Sequence, residues 1–87
     1  MRLDKFLKVS RLIKRRTVAN EACDAGRVLV NGKPARASYD VKEGDVLTVQ
    51  FGARSVNARV RDVREVAPKQ DAALLYELLE DGDFSKN

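Results

Sequence analysis

Residues 13 to 33 read IKRRTVANEACDAGRVLVNGK, and the order of parts in this stretch leaves the chain few ways to fold. Gly26 can adopt the left-handed conformation that ends a helix, and the β-branched Val28 and Val30 start a strand immediately after it. Asn31-Gly32 is a strong short hairpin signal, because both central positions of a type I′ turn need positive φ. Before them Thr17 is a reasonable N-cap for a short helix, its hydroxyl accepting from a free first-turn amide, with Val18, Ala22 and Ala25 facing inward and Ala19 and Cys23 widening that face. A helix, a sharp turn and a strand hairpin follow one another closely, so the chain is expected to be α+β.

The flanking segments extend this plan. Leu3, Phe6, Leu7, Ser10 and Ile13 share one side of a 3.6-residue wheel, which predicts an amphipathic helix over residues 2–15. Arg2, Lys5, Val9, Leu12 and Arg16 fall along a second stripe, and Lys8, Arg11 and Arg15 along a third. Two cationic rows thus flank one apolar anchor. The hairpin returns over Lys33 to Ala37. Residues 39–51 read as extended segments around a Lys42-Glu43-Gly44-Asp45 turn, ended by Gly52. Val56, Ala58, Val60 and Val63 supply a further strand, with Arg59, Arg61 and Arg64 outward. After Pro68, the spacing of Ala72, Leu75, Tyr76, Leu78 and Leu79 predicts a last helix, frayed beyond Asp81, which packs on the domain. The expected division is residues 1–66 as a domain and 67–87 as a C-terminal helix with an acidic tail.

Charge narrows the function. The chain of 87 residues carries 17 Lys and Arg against 13 Asp and Glu, a net charge of +4. Residues 1–36 hold ten cations against three acids, 37–66 five against five, and 67–87 two against five. Cations concentrated at one end are the electrostatic footprint of a polyanion binder. One Cys and no His leave no internal disulfide and no plausible zinc site, and Cys23 is expected to pack as a small hydrophobe. No apolar run approaches the roughly 18 residues of a membrane span, and charge interrupts the start too early for a signal peptide, so no membrane partner and a cytoplasmic location are expected. No cofactor is expected, and without His, a nucleophile elbow, a P-loop or paired carboxylates an enzyme is a poor reading. A helix-turn-helix is a rival for the basic front half, and the VNG hairpin argues against it.

Taken together, Arg2-Leu3-Asp4-Lys5-Phe6-Leu7, Ser10-Arg11, Arg16-Thr17-x-Ala19, Gly26-Arg27-Val28-x-Val30-Asn31-Gly32 and Ser38-x-x-Val41-x-x-Gly44-Asp45 resemble the RNA-binding domain first recognised in ribosomal small-subunit protein S-four. The one departure is Ala22-Cys23, where the family more often has bulkier aliphatics. The resemblance implies an αL-type S-four RNA-binding domain, with two N-terminal helices followed by a small antiparallel sheet and a C-terminal helix. Across essentially the whole chain it resembles the stand-alone RqcP family of bacterial ribosome-associated quality control, related to the heat-shock S-four protein. That resemblance implies a monomer that binds obstructed large ribosomal subunits, contacts large-subunit rRNA and P-site peptidyl-tRNA, and supports alanine tailing directed by a partner, RqcH. The alternative is a general ribosome- or RNA-binding S-four protein, a heat-shock-type recycling or assembly factor, with no role in tailing.

Duplex RNA is recognised mostly through phosphates, 2′-hydroxyls and shape, and the planar arginine fork can grip a phosphate bidentately. Arg2 and Arg16 are therefore the principal expected RNA contacts, with Lys5 between them; on one continuous helix the outer pair would stand on the order of 20 Å apart. Lys8, Arg11, Lys14 and Arg15 add phosphate contacts, and Lys33 and Arg36 extend the basic surface from the hairpin. Asp4 either orients a neighbouring cation or complements the helix dipole. Gly26, Asn31, Gly32 and Gly44 are conformational. Arg59, Arg61 and Arg64 are most simply a solvated face.

Overall fold

The computed structural model describes residues 1–79. Helix α1 spans Leu3–Val9 and α2 spans Arg16–Asp24, followed by strands β1 (Val28–Val30), β2 (Lys33–Pro34), β3 (Val46–Phe51) and β4 (Arg54–Val60), a 3-10 helix (Lys69–Leu74) and strand β5 (Tyr76–Leu79). The five strands form one antiparallel sheet in the order β2-β1-β3-β4-β5. The expected α+β class, two leading helices and antiparallel sheet are all present.

The apolar stripe of the first helix is the floor of the core. Leu3, Phe6 and Leu7 are fully buried, and Ser10 and Ile13 join them, although the helix itself is shorter than its periodicity predicts. It ends at Val9, and Arg11 takes a positive φ of 64°. The reason lies in Ser10: its Oγ donates to the Leu7 carbonyl and accepts from the Leu12 amide, while the Ile13 amide reaches the same Leu7 carbonyl. These local bonds compete with the helical ladder. The chain folds back, so Ile13 stays in the core without a helix to carry it there.

Helix α2 is rotated from the expected setting. It begins at Arg16, with Arg15 at the N-cap and no side-chain cap, so the expected Thr17 cap is not formed. Ala19 and Cys23 are the buried positions, while Val18 is 47% exposed and Ala25 is also exposed. The small residues at 19 and 23 let the helix backbone approach α1, and this close contact outweighs the loss of one valine's burial. Burial raises the Cys23 thiol to a pKa of about 11, as do the neighbouring Asp4 and Asp24 charges, which leaves it an inert packing group. At the other end the sequence signal is obeyed: Gly26 has φ 80°, its amide bonds the Cys23 carbonyl, and the Arg27 amide bonds the Ala22 carbonyl, the paired bonds of a Schellman cap.

Asn31 and Gly32 carry φ values of 52° and 86°, as a type I′ turn requires. The Asn31 side chain also stitches this turn to the one before β3, accepting from the Val46 amide at 3.0 Å and donating to Asp45 at 3.1 Å. Asp45 in turn accepts from the Tyr39 hydroxyl and the Lys42 amide, each at 3.0 Å. The intervening loop closes on α1, where the first-turn amides of Leu3 and Asp4 donate to the carbonyls of Tyr39 and Ala37. Residues 37–41 thereby satisfy donors that the helix leaves open.

The expected C-terminal helix is not formed. Lys69–Leu74 makes a 3-10 helix, and Tyr76–Leu79 adds a fifth strand beside β4 in the register Val60 to Tyr76 and Asn57 to Leu79. Ala72 and Leu75 are buried, but Leu78 is 63% exposed. The exposed edge of β4 competes for these residues: pairing satisfies its backbone groups, which a helix packed on the sheet would leave bare. Glu80, Asp81 and the tail lie outside the described residues.

Candidate nucleic-acid interface

The site is organised by a carboxylate. Asp4 sits in the first turn of α1 and is 2% exposed. Its two oxygens accept from Arg2 Nε at 3.2 Å, Arg2 Nη2 at 3.4 Å, Arg16 Nη2 at 3.4 Å and Asn20 Nδ2 at 3.1 Å. Arg2 precedes α1, whereas Arg16 and Asn20 lie on α2, so one buried acid ties the starts of two helices together. Burial pushes the carboxyl up, yet the three side-chain donors outweigh it and bring its pKa to about 2. Asp4 is thus ionised at neutral pH, and its bonds to the arginines and its place in the first turn of α1 are compatible with both sequence readings.

Both arginines remain half exposed, Arg2 at 50% and Arg16 at 48% of their side-chain area. An arginine has five N–H donors in a planar fork. Asp4 engages two from Arg2 and one from Arg16, so each fork keeps donors that Asp4 does not engage. Two like charges side by side repel, and the anion beneath them offsets that cost while restricting both side chains. A shallow recess of about 410 Å³ lined by Asp4, Arg16, Thr17, Asn20 and Glu21 adjoins them. The continuous helix that would hold Arg2 and Arg16 on the order of 20 Å apart does not exist: both arginines reach the same Oδ1 atom of Asp4.

The other expected site residues are dispersed around this pair. Lys5 is intermediate in exposure and its ammonium pairs with Glu65, which that bond holds below the usual carboxylate range. Lys8 is exposed at the last turn of α1, and Arg11, Lys14 and Arg15 are exposed in the loop that follows. Lys33 and Arg36 are exposed on the hairpin and the loop after it, Arg36 beside a recess that also includes Cys23, Asp24 and Gly26. Sequence reasoning missed Lys69, which the 3-10 helix brings to the same cleft as Arg11 and Lys14. No periodicity could have indicated it, because Lys69 reaches that cleft only through the return of the chain after β4. On the late strand, Arg59 pairs with Glu77 at 3.5 Å, and beyond it Arg64 pairs with Asp62 at 2.7 Å.

The family model described as S4 domain matches residues 1–47. A protein of Halalkalibacterium halodurans named RQC P-site tRNA stabilizing factor is 52% identical over 87 residues, covering 100% of this chain and 99% of the relative. A protein of Bacillus subtilis with the same name is 54% identical over 81 residues, covering 93% of this chain and 94% of the relative. Among solved structures, heat shock protein 15 of Vibrio cholerae, described as trimeric, superposes with a TM-score of 0.85 at 26% identity, covering 99% of this chain and 87% of that one. The chain belongs to the S4 domain family and, within it, to the family of RQC P-site tRNA stabilizing factors.

Proposed function

We propose that this chain is a non-enzymatic RNA-binding factor of bacterial ribosome-associated quality control. It binds obstructed large ribosomal subunits in the cytoplasm, contacts rRNA and P-site peptidyl-tRNA, and holds that tRNA while RqcH directs alanine tailing. What supports the reading is one observation above the others: two half-exposed arginines, one just before α1 and one opening α2, share a buried, ionised carboxylate. A bidentate cation held at a fixed angle matches the geometry of a phosphodiester, and pre-ordering lowers the side-chain entropy lost on binding. The wide, shallow minor groove of A-form RNA presents two phosphate rows and 2′-hydroxyls to such a surface, with no need for a base-reading loop. Arg2 and Arg16 grip backbone phosphates, Asp4 positions them, and Lys8, Arg15, Lys33 and Arg36 widen the field that draws the chain onto the ribosome.

Co-sedimentation with purified large subunits tests this directly. Arg2→Ala and Arg16→Ala should each release the chain from the particles at moderate salt, with the chain still folded at the assay temperature although its melting temperature falls because buried Asp4 loses a partner. Retention of both variants would refute the role given to the arginines. A second reading has one specific support, the 36% identity over 78 residues to heat shock protein 15 of Escherichia coli, covering 88% of this chain. Alanine tails on stalled nascent chains that disappear when the gene is deleted separate the two; undiminished tails favour the heat-shock-type role.

A further inference from the structure

We propose that Arg11, Lys14 and Lys69 form a second phosphate site, beside the Asp4 cluster and sharing none of its residues, that takes one phosphodiester of an RNA strand. The inference rests on the RNA-binding reading above and extends it to a segment outside the region matched by the family model, which ends at residue 47.

The three side chains line an open cleft of about 470 Å³, where the loop after α1 meets the 3-10 helix. All three residues are exposed, and among the described residues none has an acidic partner. The acids near this part of the fold are already engaged: Asp71, on the same 3-10 helix, lies 3.9 Å from Arg64, Asp62 bonds Arg64 at 2.7 Å, and Glu65 pairs with Lys5. At the Asp4 cluster an anion supplied by the chain offsets the repulsion of its cations. Here no described residue supplies such an anion, and three positive groups line one cleft with room for a phosphate.

The backbone points the same way. Arg11 has φ 64°, a left-handed conformation that costs a non-glycine residue on the order of 1 kcal/mol. Asn or Gly would relieve that strain, yet the position presents a guanidinium to the cleft. Strain maintained at an exposed cation is a pointer to function. A phosphodiester suits the cleft better than a carboxylate, because it can accept from a forked guanidinium and two ammonium groups at once. Lys14 stands two residues before Arg16 of the Asp4 cluster, at most about 7 Å between Cα atoms, so a single bound RNA strand could occupy both sites.

The test measures binding of the full chain to purified large ribosomal subunits between 50 and 200 mM salt, for the unsubstituted protein, Lys69→Gln, Lys69→Arg and Arg11→Asn. Asn tolerates the left-handed region, so Arg11→Asn removes the guanidinium while leaving the turn intact. Lys69→Gln and Arg11→Asn should each weaken binding about three- to tenfold near 150 mM salt and lower the slope of log affinity against log salt by about 0.7, the loss of one phosphate contact. Lys69→Arg should restore both values. Unaltered affinity and slope in Lys69→Gln, with the unsubstituted chain binding normally, would overturn the second site alone; no binding by the unsubstituted chain would overturn the functional reading beneath it.

Discussion

Asp4 shows how one residue can serve stability and recognition together. Its pKa of about 2 lies below the ordinary carboxylate value of 3.8, so ionised Asp4 favours the folded chain. A depressed pKa contributes stability that is fully present above the unfolded value and is lost as pH falls through the folded one. The shift corresponds to about 2 kcal/mol. Asp4→Ala should therefore cost about that much in urea denaturation at pH 7, and the difference from the unsubstituted protein should shrink as pH falls from about 4 towards 2. A gap that stays constant over that range would contradict the assignment of the charge. The same variant should weaken binding to large subunits with both arginines still in place, because their side chains would no longer be held. The wheel position of Asp4 allowed this role without requiring it. Arg16 and Asn20 reach it only after the chain reverses at Ser10, and no local pattern encodes that meeting.

At the scale of elements, the positive-φ positions and the apolar stripe of α1 were legible, while the setting of α2 and the form of the last segment were not. Gly26, Asn31 and Gly32 adopt positive φ as their positions in the sequence imply. A Cβ at Gly26 would meet nothing within 4 Å, so Gly26→Ala should cost about 1 kcal/mol through backbone strain alone, measurable as a lower denaturation midpoint at unchanged m-value. Helix α2 is the opposite case. Hydrophobicity favours turning Val18 inward, but the available space between α1 and α2 favours Ala19 and Cys23, and steric fit is not a property of one helix read alone. Val18→Lys should accordingly change stability by less than about 0.5 kcal/mol, whereas Ala19→Leu should cost about 1 to 3 kcal/mol by overpacking. Equal effects would place the inward face where periodicity first put it. The C-terminal segment misled for a related reason: its leucine spacing fits a helix, while the unpaired edge of β4, formed far away in sequence, makes a strand the better partner.

Over the whole molecule, that fifth strand extends the sheet, and Leu75 just before it, fully buried, joins the same core cluster as Leu3, Phe6 and Leu7. Leu75→Ala should cost about 2 to 5 kcal/mol and Leu78→Ala less than about 0.5, a contrast readable in thermal melts and absent if the segment were a helix burying both. Charge is distributed unevenly along the sequence. Ten cations against three acids occupy residues 1–36, while five acids against two cations occupy residues 67–87. A polyanion is attracted most strongly by the cationic front half of the sequence, which carries both helices. Affinity built on phosphates is paid back in released counterions. With about six phosphates neutralised, raising salt from 50 to 200 mM should weaken binding to large subunits by on the order of a thousandfold. Removing Arg2 and Arg16 together should flatten the dependence by about two contacts' worth, while Leu78→Ala leaves it unchanged. A weak, salt-insensitive association would mean that apolar contacts carry the docking and that the arginine pair serves only the fold.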